Sequence, residues 1–197
     1  MAMKLRAMLD YIDRMRPNNF REEDKIRWLN EIEAKIHREV YLTPPDDIVL
    51  YQPGGEWKMS GIEFPDDMTM ILPEPITAWK YGTVTVEGLE TYSANNGAFS
   101  VKYVDEEGML LMKGGLPFPA YDLGPEKGEV TVKTTMDEVS LLLDDIWIQL
   151  YYLYVFSRMD LANAEYDRYN NSRTAFNEEW SALKKWYTTH FPNWGCC

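Results

Sequence analysis

Apolar side chains recur at steps of three and four from the start of the chain: Leu5, Met8, Ile12 and Met15 trace one face of a helix. Pro17 and the Asn18–Asn19 pair then stop it. Asn19 is placed to cap a second helix, whose first turn carries Glu22, Glu23 and Asp24 where the helix dipole favours anions. Ile26, Leu29, Ile32, Ile36 and Val40 form one stripe along that helix, and Pro44 with Pro45 ends it.

From Ile48 to about Thr135 the period changes from helical to two. Residues 83–86 alternate as a half-buried strand does, and 98–104 repeat the pattern. Asp105 to Gly108 offers a turn into a strand over 109–113, and 129–133, with Val130 and Val132 on one face, is a further strand. Gly and Pro punctuate these runs, and Gly54–Gly55 and Gly114–Gly115 read as turns because neither pair has the Lys-Ser/Thr of a phosphate loop.

The last third predicts helices again. Asp144 and Asp145 fall where a helix start favours carboxylates, directly before a run from Ile146 to Phe156 that is apolar everywhere except Gln149. A helix apolar on all sides must be covered. The run falls short of the roughly 20 residues that span a bilayer, so its cover is protein, part of it expected from neighbouring subunits. The helix is expected to continue through Asp160 to Tyr166 and to kink or be re-capped around Asn170, Asn171 and Ser172. Tyr169, Phe176, Trp180, Leu183 and Tyr187 mark the inner face of a last helix, and Leu150, Trp180 and Leu183 are expected to lie in the helical core.

This order predicts an α+β, mainly helical fold. A helical pair over 1–47 and C-terminal helices over 136–197 form a helical bundle, with a small antiparallel β unit inserted over 48–135. At 197 residues the chain can bury one core, or one core and an inserted lobe.

Composition narrows the function classes. A net charge of −12 argues against nucleic acid as a tightly held ligand, because phosphate binding depends on Lys and Arg displacing counterions. The 13 Tyr and 7 Trp instead imply large contact surfaces. The N-terminus shows no basic segment followed by an apolar core, so no signal peptide is expected and synthesis in a cytosol is. His37 and His190 are the two imidazoles, and Cys196 and Cys197 are adjacent at the C-terminus, where a bridge between neighbours is strained. Those parts assemble neither a catalytic triad nor a metal site, so no catalytic residue, metal or cofactor is expected.

The acid pairs Asp46–Asp47, Asp66–Asp67 and Asp144–Asp145 sit beside prolines and helix starts, where capping and solvation account for them. Asp160, Asn163, Glu165, Asp167, Arg168, Asn170 and Asn171 form a polar cluster whose spacing pairs Glu165 with Arg168 and Asp167 with Asn171 on a helix surface. Such a cluster is a solvated face or a subunit contact. With Tyr169 it is one candidate interface, since Tyr and Arg are enriched in buried interface centres. Trp186, Tyr187, Phe191 and Trp194 are the other: they supply more aromatic surface than a short terminal segment buries alone, unless they fold back onto the chain's own N-terminal helices. Trp57, Trp79, Tyr81 and Tyr92 in the β unit could stack on sugars, which makes a carbohydrate- or ligand-binding module the alternative function.

One resemblance adds to this reading. The opening helices MRPNNFREEDKIRWLNEIEAKIHREV, the Leu72-Pro73-Glu74 segment, the β-hairpins and the closing LLLDDIWIQLYYLYVFSRMDLANAEYDRYNNSRTAFNEEWSALKKWY occur in an order that resembles the head-to-tail adaptor (connector) proteins of tailed bacteriophages and prophages, a group that includes tail tubular and head-completion proteins. The match covers most of the two helical ends and, more loosely, the β insertion. The resemblance implies a structural subunit, not an enzyme, of a ring that usually has twelve copies. It implies a place in the virion neck after synthesis in the host bacterial cytoplasm, contacts with copies of itself, with the portal protein and with a downstream tail or stopper protein, passage of DNA without tight binding, and no membrane.

Overall fold

The computed structural model describes residues 2–41, 51–66, 68–74, 76, 82–104, 109–112, 116–117 and 124–191. The fold is α+β and mainly helical, and it divides into two units: 1–52 together with 140–197, and 53–139.

In the first unit a short strand β1 (Ala2–Lys4) runs directly into α1 (Leu5–Met15) and pairs antiparallel with β8 (Ser140–Asp144), Ala2 opposite Asp144. The helix α2 (Glu22–Ile36) ends in a π-helical turn, His37–Tyr41. A 3-10 turn, Asp145–Trp147, leads from β8 into α3 (Ile148–Ala162), which packs along α4 (Tyr166–His190). The periodic positions face inward as expected: Leu5, Met8 and Ile12 of α1, all five residues of the Ile26–Val40 stripe, and Leu150, Trp180 and Leu183 are buried. Met15 is not; it ends its helix 55% exposed. Two ion pairs fasten α1 to α2. Arg6 grips Glu22 through two hydrogen bonds of 2.9 and 2.7 Å, and the buried Lys25 donates to both oxygens of Asp13 at 2.7 and 2.6 Å.

Three helix boundaries differ from the sequence reading. Arg21, not Asn19, precedes the first turn of α2, and no side chain caps it. Asn18 accepts from the Phe20 N–H at 3.0 Å and donates to Asp13 at 2.8 Å, so the turn is held one residue earlier. Asp144 and Asp145 do not cap α3, because Asp144 closes β8, Asp145 opens the 3-10 turn and Trp147 precedes the helix. The break between α3 and α4 comes at 163–165, ahead of the Asn170–Ser172 stretch, which stays helical. There the Glu165 N–H donates to the Asp160 carbonyl at 2.8 Å and the Ala164 N–H to that of Leu161 at 3.1 Å, with Ala164 left-handed at φ 58°. This is the Schellman arrangement, in which Gly usually holds the left-handed position. Ala in its place removed the residue that would have marked the helix end.

The second unit is a six-stranded antiparallel sheet in the order β2-β7-β4-β5-β6-β3, formed by β2 (Gly55–Met59), β3 (Thr69–Ile71), β4 (Thr83–Glu87), β5 (Gly97–Val104), β6 (Met109–Met112) and β7 (Val130–Thr135). Alternation puts Val84, Val86, Val130 and Val132 into one core with Ile62, Phe64, Met70, Leu72, Tyr92, Val101 and Leu110. Gly54 and Gly55 are not a turn. Gly55 begins β2 opposite Thr134, and a Cβ on Gly54 would stand 2.5 Å from the Thr134 carbonyl oxygen, so the strand approaches here only because the side chain is absent. Asp66 caps a turn as its setting suggested, accepting from the N–H groups of Met68 and Thr69 at 2.8 and 2.7 Å, which hold its carboxyl below the usual range. The pairs at Asp46–Asp47 and Gly114–Gly115, and Asp67, lie outside the described residues, as do Pro44, Pro45 and the two cysteines.

Candidate functional site

The sequence-derived candidates fall at the two ends of α4. At its N-terminal end the α1–α2 turn and the α3–α4 turn enclose a cavity of about 350 Å³, lined among others by Arg16, Phe20, Asp160, Asn163, Glu165 and Arg168. Asp160 is buried there rather than part of a solvated face. It accepts an ion pair from Arg16 on one oxygen and a 2.8 Å hydrogen bond from the Ser172 hydroxyl on the other. Arg16 also donates to the Phe156 carbonyl at 3.3 Å, and its guanidinium lies 4.4 Å over the Phe156 ring. With one partner on each oxygen, Asp160 ties Arg16, just past α1, to α3 and α4. Glu165 and Arg168 pair with each other at 2.9 Å on the rim, Tyr169 is half-buried, and Asn170 and Asn171 are exposed. Tyr166, 64% exposed, adds an uncovered aromatic ring at this end.

At the C-terminal end, Trp186 stacks on His190 with centroids 4.6 Å apart and meets Tyr187, Phe191 and Trp147 edge-on. Tyr187 packs against Tyr41 at 5.2 Å, their phenol oxygens sharing a 2.5 Å hydrogen bond. Burial first, then that bond, pushes the Tyr41 phenol well up. His37 packs against Tyr41, its buried Nδ1 has no hydrogen-bond partner among the described residues, and burial lowers its pKa. Tyr187 therefore docks on the turn that follows α2, while Trp186 and Phe191 keep part of their surface open. Trp194 lies outside the described residues.

No family model matches this chain, and no curated protein matches it.

Two buried carboxylates went unnoticed in the sequence. Glu33 accepts on a single oxygen, Oε1, from the Tyr51 hydroxyl at 2.8 Å, the Tyr151 hydroxyl at 2.9 Å and the Leu142 N–H at 3.0 Å. The Leu143 N–H donates to the Tyr151 oxygen at 3.0 Å, so the one Tyr151 proton is directed at Glu33. Burial raises the Glu33 pKa against the pull of these three donors, and burial beside Glu33 pushes both phenols up. Asn30 closes the cluster from α2, with two 2.6 Å bonds to the backbone of Tyr51. The signal available in the sequence was an acid beside Ile32 in an apolar stripe.

In the second unit Glu126 is buried and accepts from the N–H groups of Thr91 (2.9 Å), Tyr92 (3.4 Å) and Gly128 (3.5 Å). Burial alone would raise its pKa, and these donors outweigh it and hold the carboxyl low. The sugar-stacking set loses a member here. Tyr92 is core, 1% exposed, and its hydroxyl donates to the Gly124 carbonyl. Trp57 packs half-buried against the same core, while Trp79 and Tyr81 lie outside the described residues.

Among the described residues no group of three His, Cys, Asp or Glu side chains converges as metal ligands do, and no helix is long and apolar enough to cross a membrane.

Proposed function

We propose that this chain is a structural, non-enzymatic ring subunit of a phage head-to-tail connector, docking on a portal protein and forming part of a DNA passage in the virion neck. The observation that carries the reading is α4. Its 25 residues give it a length of about 38 Å at 1.5 Å per residue. Only Phe176, Trp180 and Leu183 of that length are buried. A long helix that its own chain covers along one narrow line is suited to a wall between subunits, and the aromatic side chains left open at its two ends are the kind that anchor interfaces.

The mechanism is geometric. Head-to-tail contacts between copies close into a ring, and a net charge of −12 per copy repels phosphate, so DNA moves through without sticking. The resemblance in element order supports the same reading, and the loss of Tyr92 from the exposed aromatics weakens the ligand-binding alternative.

The test is mass in solution, by light scattering and native mass spectrometry, with and without the portal protein of the same phage. A closed ring, alone or on the portal, is the expected result. A chain that stays monomeric in the presence of the portal overturns the reading.

A further inference from the structure

On this acidic protein the face shared by α2, α3 and α4 has the opposite sign. Lys35, Arg38, Arg158, Arg173 and Lys184, five of the chain's 20 Lys and Arg, gather there around a row of aromatic rings. Lys35 Nζ stands 4.7 Å from the Trp180 ring centre and 5.5 Å from that of Phe176. Arg173 lies 5.4 Å over Phe176, Lys184 6.0 Å from Trp180 and Arg158 5.6 Å over Tyr154. Two acids temper the patch. Glu31 takes Arg158 and the Tyr154 hydroxyl, and Glu39 stands 3.9 Å from Lys35 and 3.8 Å from Lys184. Among the described residues Arg38 and Arg173 have no carboxylate partner.

We propose that this basic, aromatic-backed face receives an acidic face of a second copy of this chain in a head-to-tail contact. The proposal deepens the ring reading above and rests on it.

Charge decides which surface of the neighbour the patch meets. Copies that each carry −12 repel one another at range, and a contact forms most readily where the local sign is reversed. A two-fold axis through the patch would set cations against the same cations. The patch must therefore meet a different, acidic surface of its neighbour, and repeated head to tail such a contact gives a ring when its rotation closes. Seating the cations on aromatic rings restricts their side chains before the partner arrives, which lowers the entropy lost on binding. Burial lowers the pKa of Lys35, Glu39 pulls it back up, and Arg173, Lys184 and Arg38 lower it further.

The experiment compares the full chain, an Arg173→Glu/Lys184→Glu variant and a control, Arg14→Glu/Lys185→Glu, that makes the same charge change elsewhere. Far-UV circular dichroism and melting establish that each is folded, and sedimentation with and without portal protein reads assembly. Wild-type and control proteins assemble alike. The patch variant is weakened roughly tenfold or more, and wild-type assembly weakens as salt rises from about 0.1 M, where charges are screened over about 10 Å, to about 1 M, where the length is about 3 Å. A folded patch variant that forms normal rings, or rings indifferent to salt, removes this contact and leaves the connector reading standing. Wild-type protein that is monomeric under every condition removes both. Short duplex DNA bound by wild type and lost in the patch variant would assign the face to nucleic acid and overturn the proposal.

Discussion

Glu33→Ala tests the polar centre of the helical unit. The substitution removes the one oxygen that accepts from Tyr51, Tyr151 and Leu142. Tyr51 keeps a long contact to the Ser140 carbonyl at 3.4 Å, so two donors, the Tyr151 hydroxyl and the Leu142 N–H, are stranded in the interior. Each buried donor left without a partner costs about 1–3 kcal/mol, which with the cavity left behind gives an expected loss of about 3–5 kcal/mol. That is a large share of the roughly 5–15 kcal/mol that holds a domain folded. Tyr51→Phe removes one donor and leaves the carboxylate two, for an expected loss of about 1.5 kcal/mol. Urea unfolding followed by circular dichroism measures both. In the double variant the Tyr51 change should cost about 1 kcal/mol less than it does alone, because its acceptor is already gone. A Glu33→Ala loss below about 1 kcal/mol, or two strictly additive losses, would refute the three-donor account. The pH dependence has a definite sign. Burial raises the folded-state pKa of Glu33 above the ordinary 4.5, so the folded chain holds the proton more tightly than the unfolded chain. The stability contributed is complete below the ordinary value and is lost as pH rises through the raised one. The advantage of wild type over Glu33→Gln should therefore shrink with rising pH, and an advantage that grows instead would mean that the hydrogen bonds outweigh burial.

Three further outcomes are expected. Glu126→Gln should behave with the opposite sign: the folded-state pKa of Glu126 is held low, so the wild-type advantage is present above the ordinary carboxylate range and disappears as pH falls through the lowered value, read by denaturant unfolding at several pH values. Leu183→Ala, at a fully buried position of α4, should lose about 2–5 kcal/mol in the same assay, and an unchanged midpoint would show that this face of α4 is misassigned. Trp186→Ala should weaken ring or portal association by roughly tenfold or more with little change in melting temperature, whereas a large melting shift with normal assembly would assign the aromatic cluster to local docking of α4.

Which side of each long element faces inward was legible in the chain itself. The Ile26–Val40 stripe, Leu150, Trp180 and Leu183, and the alternating valines of β4 and β7 all lie inside, because periods of 3.6 and 2 record a buried face within a few neighbouring residues. Glu165 and Arg168 pair as their spacing suggested, although Glu165 stands just ahead of α4 and only Arg168 lies in its first turn. What local pattern could not contain was decided by partners distant in the chain. Ala2 finds Asp144 to make a strand pair too short to register as periodic. Asp160, read as one of a surface group, is drawn inside by Arg16 and Ser172, and α3 stops beside it on a left-handed alanine that no glycine announced. The basic face takes its cations from positions 35, 38, 158, 173 and 184, on α2 and the turn after it, α3 and α4, and no run of charge in the chain foretells it. A buried charge or a charged patch depends on which segments meet, and that is set by the packing of the whole unit rather than by the order of residues within any one element.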